Sequence, residues 1–381
     1  MMMLIRTAFA ALAALVILAA PQQARAQSSF EGVERIVAIG DLEGAYEKYL
    51  DMLRTAGLID ADGDWIGGRA HLVQLGDIPD RGPHSRAIID HLRRISPQAR
   101  RAGGRVHALI GNHEAMNVEG DLRYVHPGEY AAFATAASPR AREQYMQRAI
   151  RHIRANPPPE GVPAFDEAWR AQWESEHPLG WVEHRRAWAP TGEYGRWISS
   201  NNAVVRINDT LFLHGGLGPS YVRPDIALLN RAVTGALRLR PVPGYEGIVE
   251  DQEGPLWYRG LARNDEPGET VHLEALLSRH GVARIVIGHT KLAPMIVPRF
   301  GGRVLVADIA VPRGYSDPHA FLLIEGAQAF AVHRGQRVPI QAGASEARCA
   351  YMGAIAALDP EGAPTHSLAE ACAAPALSTA E

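Results

Sequence analysis

The stretch Leu72-Val73-Gln74-Leu75-Gly76-Asp77-Ile78-Pro79-Asp80-Arg81-Gly82 decides the reading of this chain. A short, mostly apolar run ends at a glycine and is followed at once by two aspartates and an arginine. Such a run reads as a buried strand, and the Gly/Pro/Asp cluster after it as a turn. The same pattern of apolar run and polar turn recurs on both sides of it. Ile36–Ile39 precedes Gly40-Asp41-Leu42-Glu43-Gly44, and Val106–Ile110 precedes Gly111-Asn112-His113-Glu114. Further on, Leu211–Leu213 precedes His214-Gly215-Gly216, and Ile285–Ile287 precedes Gly288-His289-Thr290. Parallel strands that end in this way bring their polar residues together at one edge of a sheet, where open α/β sheets place their chemistry. The residues that would converge are Asp, Glu, Asn and His, the donors that hold divalent metals of intermediate hardness.

In these motifs and their order the chain resembles the calcineurin-like metallophosphoesterases of the phosphoprotein phosphatase superfamily. It is most similar to the Shewanella-like protein phosphatases. That narrower resemblance rests on Gly111-Asn112-His113-Glu114-Ala115-Met116-Asn117, Gly120-Asp121-Leu122-Arg123-Tyr124-Val125 and Gly254-Pro255-Leu256-Trp257-Tyr258-Arg259, and spans about Arg35 to about Leu323. It implies an α/β fold of two packed mixed β-sheets flanked by helices. It also implies a pair of divalent metals that make hydroxide available for attack on phosphorus.

The resemblance assigns roles residue by residue. Asp77 would bridge the two metals, Asp41 would bind the first, and Asn112, His214 and His289 the second. Mixed oxygen and nitrogen ligation suits Mn²⁺, with Fe, Zn or Mg as alternatives. His113 takes the place of the general acid and Asp80 that of the carboxylate which orients it. Arg81 and Arg259 would bind the phosphate oxygens, for which guanidinium is suited. Asp308 is a candidate acceptor behind His289. Arg123 and Tyr124 either face the substrate or, in the case of Arg123, pair with Asp121 or Glu119.

Glu43 departs from the family motif Gly-Asp-x-His-Gly, in which the histidine is a ligand of the first metal. Three readings stay open. Glu43 ligates through oxygen, which hardens the site toward Mn²⁺ or Mg²⁺. It swings aside and leaves a weaker first site. Or the chain holds one metal and is inactive. A glutamate reaches about as far as an imidazole, which favours ligation.

Around these motifs the chain divides into three parts. Residues 27 to about 117 alternate strand and helix, with helices expected over Gly44–Ala56 and Ser85–Ile95. Residues 118 to about 200 hold five of the seven tryptophans and read as a mostly helical insertion beside the active site, one that could wall a site deep enough for phosphotyrosine. Further strands are expected at Ala203–Ile207, Val304–Ala307 and Ala320–Ile324, completing a metallophosphoesterase domain that runs to about residue 340. The Ala- and Pro-rich tail beyond is accessory. Its cysteines, Cys349 and Cys372, are the only two in the chain and permit one pairing, stapling two short helices.

The N-terminus reads as a cleavable leader. Arg6 precedes the apolar run Thr7–Ala20, and Ala24-Arg25-Ala26 fits a small-x-small cleavage site. The run falls short of the ~20 residues that span a bilayer. Loss of Arg6 and Arg25 takes the formal charge from −3 to −5. The expectation is a periplasmic or secreted protein with no stable membrane span after cleavage. Nothing in this charge suggests nucleic acid as a partner. The expected activity is that of a metal-dependent phosphomonoesterase acting on phosphorylated protein, with phosphotyrosine the favoured target. The alternatives are an exported nucleotide or small-metabolite phosphoesterase, and a non-catalytic metal or phosphopeptide binder.

Overall fold

The computed structural model describes residues 27–309, 319–341, 343 and 345–373. The leader-like segment 1–26 lies outside the described residues. The strands are β1 (Ser29–Phe30), β2 (Arg35–Ile39), β3 (His71–Gln74), β4 (Arg105–Ala108), β5 (Val204–Ile207), β6 (Thr210–Leu213), β7 (Arg284–Ile287), β8 (Val297–Arg299), β9 (Val304–Val306), β10 (Ala320–Glu325), β11 (Gln328–His333) and β12 (Gln336–Ile340). They form two six-stranded sheets, ordered β1-β5-β6-β7-β9-β8 and β12-β11-β10-β2-β3-β4. Both sheets mix parallel and antiparallel pairs, as the sequence led us to expect.

The apolar runs form strands because both of their faces are covered. Every residue of β3 and β6 is buried, and one hydrophobic cluster runs through both sheets, from Ile36–Ile39 and Leu72 to Val204, Leu211–Leu213 and Ile285–Ile287. Strands buried on both sides read as continuous rather than alternating hydrophobic runs. Register then positions the chemistry. β2, β3 and β4 are parallel, with Ile39 opposite Gln74 and Gln74 opposite Ala108. The ladder continues through Leu75 N–H to the Ile39 carbonyl and Leu109 N–H to the Gln74 carbonyl. Asp41, Asp77 and Asn112 therefore leave the sheet side by side. In the other sheet β6 and β7 are parallel, with Leu213 opposite Ile287, which places His214 beside His289.

The helix expected over Ser85–Ile95 runs on to Arg101, through Pro97. A proline inside a helix costs about 3 kcal/mol. Here the apolar stripe Ile88, Ile89, Leu92, Ile95 and Ala99 stays buried across it, so packing outweighs the local penalty. The insertion is helical, with helices Pro127–Phe133, Ser138–Ala155, Glu167–Glu176, Trp181–Trp188 and Glu193–Ile198. Asp166 caps the third of these by accepting from Trp169 N–H.

At the C-terminal end, helices Ser345–Ala356 and Pro364–Ala373 are joined by the Cys349–Cys372 disulfide, with Cα atoms 5.3 Å apart. Asp359 ties this pair to the end of β11, accepting from His333 Nε2 at 2.9 Å and Arg334 Nε at 2.6 Å. Among the described residues no helix is long and apolar enough to cross a membrane.

Candidate active site

The strand ends meet in a cavity of about 340 Å³ lined by Asp41, Glu43, Asp77, Arg81, Asn112, His113, Tyr124, Trp257, Arg259, Arg263, His289, Lys291 and Asp308. Every residue singled out in the sequence as a metal ligand or catalytic group lies in this wall except Asp80 and His214. Those two are buried directly behind it, bonded to His113 and Asn112 respectively.

The backbone is bent sharply to achieve this. Glu43, Asp77, Asp80, Arg81 and His289 all have positive φ, between 46° and 77°. Non-glycine residues in that region cost about 1–2 kcal/mol each and persist only where neighbours over-determine them. The neighbours are identifiable. Leu42 and Glu43 N–H both donate to the Asp77 carbonyl, Arg81 N–H to the Tyr124 carbonyl, and His289 N–H to Asp41 Oδ1. Glu114, fully buried, accepts from the N–H groups of Asp77, Ile78 and Gly111.

Asp77, His214 and His289 offer ligand atoms that lie within 4.8 Å of one another. His214 Nδ1 donates to the Leu75 carbonyl at 2.9 Å, which leaves Nε2 turned to Asn112 Oδ1 at 2.9 Å and Asp77 Oδ1 at 3.3 Å. His289 Nε2 meets the Trp257 carbonyl at 3.2 Å, which leaves its Nδ1 for a ligand. A carbonyl thus stands behind His289 at Nε2, and the charge of Asp308 acts on Asp41. Glu43 is buried and its Oε2 has no hydrogen-bond partner.

The electrostatics match this crowding. Burial, with the charges of Asp308 and Asp77, raises the Asp41 carboxyl well above the usual carboxylate range. Burial would raise Asp77 too, yet the neighbouring His214 and His113 hold it well below that range. Burial, with the charges of His214 and Arg259, pushes His289 well below an ordinary imidazole. Packed carboxylates, imidazole nitrogens and an orphaned buried oxygen fit a divalent cation, which would relieve both the repulsion and the missing contact.

Beside these donors stands a hydrogen-bonded pair. His113 Nδ1 and Asp80 Oδ2 are 2.5 Å apart, both buried. Burial alone would lower His113, but the charge of Asp77 and the bond and charge of Asp80 raise it. Asn117 donates to the other oxygen, Asp80 Oδ1, at 2.9 Å. Arg259 donates to the His289 carbonyl at 2.9 Å and to Thr290 Oγ1 at 3.1 Å, fixing its guanidinium at the cavity wall.

Several parts of the site were not assigned from the sequence. Asn117 lies one helical turn after His113 in Asn112–Glu119, so its shared face was open to inference. Glu114 was quoted in its motif without a role. Arg263 and Lys291 in the wall carried no sequence signal. Conversely, Arg123 is mostly exposed and pairs with Asp121 at 2.5 Å, while Tyr124 faces the cavity with its ring 5.2 Å from that of His113. The tryptophans of the insertion do not line the cavity. Trp173 stacks on His177 and Trp188 is in the core, so the insertion contributes Tyr124 alone to the wall.

The chain belongs to the calcineurin-like phosphoesterase family, whose model matches residues 34–292. It is accordingly a metallophosphoesterase, a hydrolase of phosphoric esters from a family that binds divalent metals. Within that class it has Shewanella-like protein phosphatase homologues. It is 31% identical over 299 residues to Shewanella-like protein phosphatase 2 of Arabidopsis thaliana, covering 76% of this chain and 75% of that one. It is 26% identical over 264 residues to Shewanella-like protein phosphatase 1 of Plasmodium berghei, covering 68% and 61%. The solved structure of a cold-active protein-tyrosine phosphatase from a psychrophilic Shewanella species matches with a TM-score of 0.63 at 26% identity, covering 83% of each chain.

Proposed function

We propose that this chain is an exported phosphomonoesterase that removes phosphate from phosphorylated protein, with phosphotyrosine preferred. The observation that carries the reading is the meeting, in one cavity, of the donors around Asp77, the Asp80–His113 pair and the guanidinium groups of Arg81 and Arg259. Asp41, Glu43 and Asp77 would hold one divalent ion and Asp77, Asn112, His214 and His289 a second, with Mn²⁺ the favoured identity. When bound, such ions neutralise phosphate charge and make water a competent nucleophile near neutral pH.

The remaining work falls to side chains of this chain. Arg81 and Arg259 bind and orient the phosphate oxygens. His113, held by Asp80 through Nδ1, keeps a proton at Nε2 for the departing ester oxygen. Its pKa, raised by the charge of Asp77 and by Asp80, favours the protonated form that this step needs. Asn117 fixes the Asp80 carboxylate in turn. Tyr124 and Trp257 give the cavity two aromatic walls against which the ring of a phosphotyrosine can lie.

Steady-state turnover of matched phosphotyrosine and phosphoserine peptides by the Mn²⁺-loaded protein tests the preference. Faster phosphotyrosine turnover is expected. Faster phosphoserine turnover would refute the preference, and much faster hydrolysis of nucleotides would move the substrate to small metabolites. Export is supported by the leader-like first 26 residues and by a disulfide, which persists in oxidising compartments. N-terminal sequencing of protein recovered from a periplasmic fraction should begin at Gln27.

A further inference from the structure

The loops Asp41–Gly44 and Asp80–Gly82 touch backbone to backbone. A Cβ on Gly44 would lie 2.6 Å from the carbonyl carbon of Gly82, and one on Gly82 would lie 2.4 Å from the Glu43 carbonyl oxygen. No other residue permits this approach. Its consequence is that Glu43 and Arg81, one residue in from each glycine, stand next to each other. Their side chains form an ion pair between Glu43 Oε1 and Arg81 Nη1. The Glu43 carboxylate is almost wholly buried, with its side chain 6% exposed, and its second oxygen, Oε2, is buried without a hydrogen-bond partner.

We infer that Glu43 is a positioning residue that couples the cation half of this site to its phosphate half. The inference rests on the reading above, that the cavity takes a divalent cation and a phosphate. One carboxylate oxygen grips the guanidinium that phosphate needs. The other is unspent and lies in the same cavity as the cation donors. With no cation present, Glu43 competes with phosphate for Arg81 and repels it. A cation taken by Oε2 draws the carboxylate charge away from Arg81 and frees its N–H groups for phosphate oxygens. Cation and phosphate thereby bind with positive cooperativity, and by linkage each raises the affinity of the other by the same factor. The device belongs to glutamate at this position. The histidine of the family motif, as a neutral metal-bound imidazole, makes no ion pair with Arg81.

Arg259 supplies an internal control. It is a second guanidinium in the same wall, but its bonds go to the His289 carbonyl and Thr290. Removing either arginine eliminates a positive charge that repels a cation. Removing Arg81 alone also releases Glu43.

The experiment is a double-substitution cycle read by calorimetric titration of Mn²⁺ alone into metal-stripped protein, with thermal unfolding to confirm folding. Arg81→Ala should raise Mn²⁺ affinity more in the natural background than in Glu43→Gln, by about tenfold. Arg259→Ala should change it by the same factor in both. Orthophosphate titration of the metal-free protein should show tighter binding in Glu43→Gln than in the unmodified chain. That gain should shrink once Mn²⁺ is bound. Where Arg81→Ala fails to fold, Arg81→Gln, which keeps the bulk and loses the charge, takes its place in the cycle.

An Arg81 effect of equal size in both backgrounds overturns the coupling while leaving the proposed function intact. Failure of the unmodified protein to bind Mn²⁺ at all overturns both.

Discussion

Glu114→Gln tests whether one buried carboxylate holds the loop that carries Asp77. Glu114 Oε2 accepts from the N–H groups of Asp77 at 2.9 Å and Gly111 at 2.8 Å, and Oε1 accepts from Ile78 N–H at 2.8 Å. Glutamine has one acceptor oxygen. Placed where Oε2 lies, it keeps the first two bonds and turns its amide N–H₂ against the N–H of Ile78. A buried donor left unsatisfied costs about 1–3 kcal/mol, and the two surviving bonds lose their charge assistance, about 1 kcal/mol more. Burial, aided by the charge of Asp77, pushes the Glu114 carboxyl up to about 7, so removing the charge returns part of that loss. The net cost is about 2 kcal/mol. Because the strained Asp77 turn is what loosens, Mn²⁺ affinity should fall by about tenfold together with stability. Denaturant unfolding of the metal-free protein and calorimetric Mn²⁺ titration read the two effects. A variant with unchanged unfolding midpoint and unchanged Mn²⁺ affinity would refute the role given to Glu114.

Asp80→Asn keeps the shape of the His113 pair but, with Asp77 left in place, removes the second of the two carboxylate charges that raise its pKa. Turnover should fall by about 10²-fold or more with little change in KM, and the alkaline limb of the pH–rate profile should move to lower pH. His107 and His184 are buried and their pKa values are lowered to about 3 by burial, with neighbouring His71 and Arg185 adding to it. An unfolded histidine titrates near 6.5, so the unfolded chain binds more protons below that pH, and stability falls as the pH drops from about 6.5 toward 3. At pH 5 each group should cost about 2 kcal/mol, and His184→Phe should flatten this part of the pH–stability curve. Reduction of Cys349–Cys372, which closes a loop with a sequence separation of 23, should cost about 3 kcal/mol. Faster hydrogen exchange should then be confined to the two C-terminal helices, with phosphatase turnover retained.

What the sequence made legible is the strand-end chemistry. Leu72–Leu75 and Ile285–Ile287 are short apolar runs between glycine-bearing turns, and such runs have few ways to be buried. Once each is parallel to its neighbour, Asp41 and Asp77 leave one sheet side by side, and His214 and His289 leave the other. Less legible were features set by contacts between distant loops. The Glu43–Arg81 ion pair depends on Gly44 meeting Gly82, which no local pattern announces. The helix through Pro97 was read as stopping at Ile95 because local propensity opposed it, and only the burial of Ala99 shows why it continues. β11 and β12 were missed because their polar residues blur the strand pattern until β11 pairs with β10 and β12 with β11. The tryptophans of the insertion suggested a substrate wall from their density, but aromatic density marks burial as readily as binding, and here they pack among themselves and into the core.

Phosphatase turnover of metal-stripped mature protein, titrated with Mn²⁺ against a phosphotyrosine peptide, tests the central claim most directly. The account predicts no turnover without a divalent cation and saturable recovery as Mn²⁺ is added. Folded protein that binds Mn²⁺ yet releases no phosphate, with this or any other divalent cation, would contradict it.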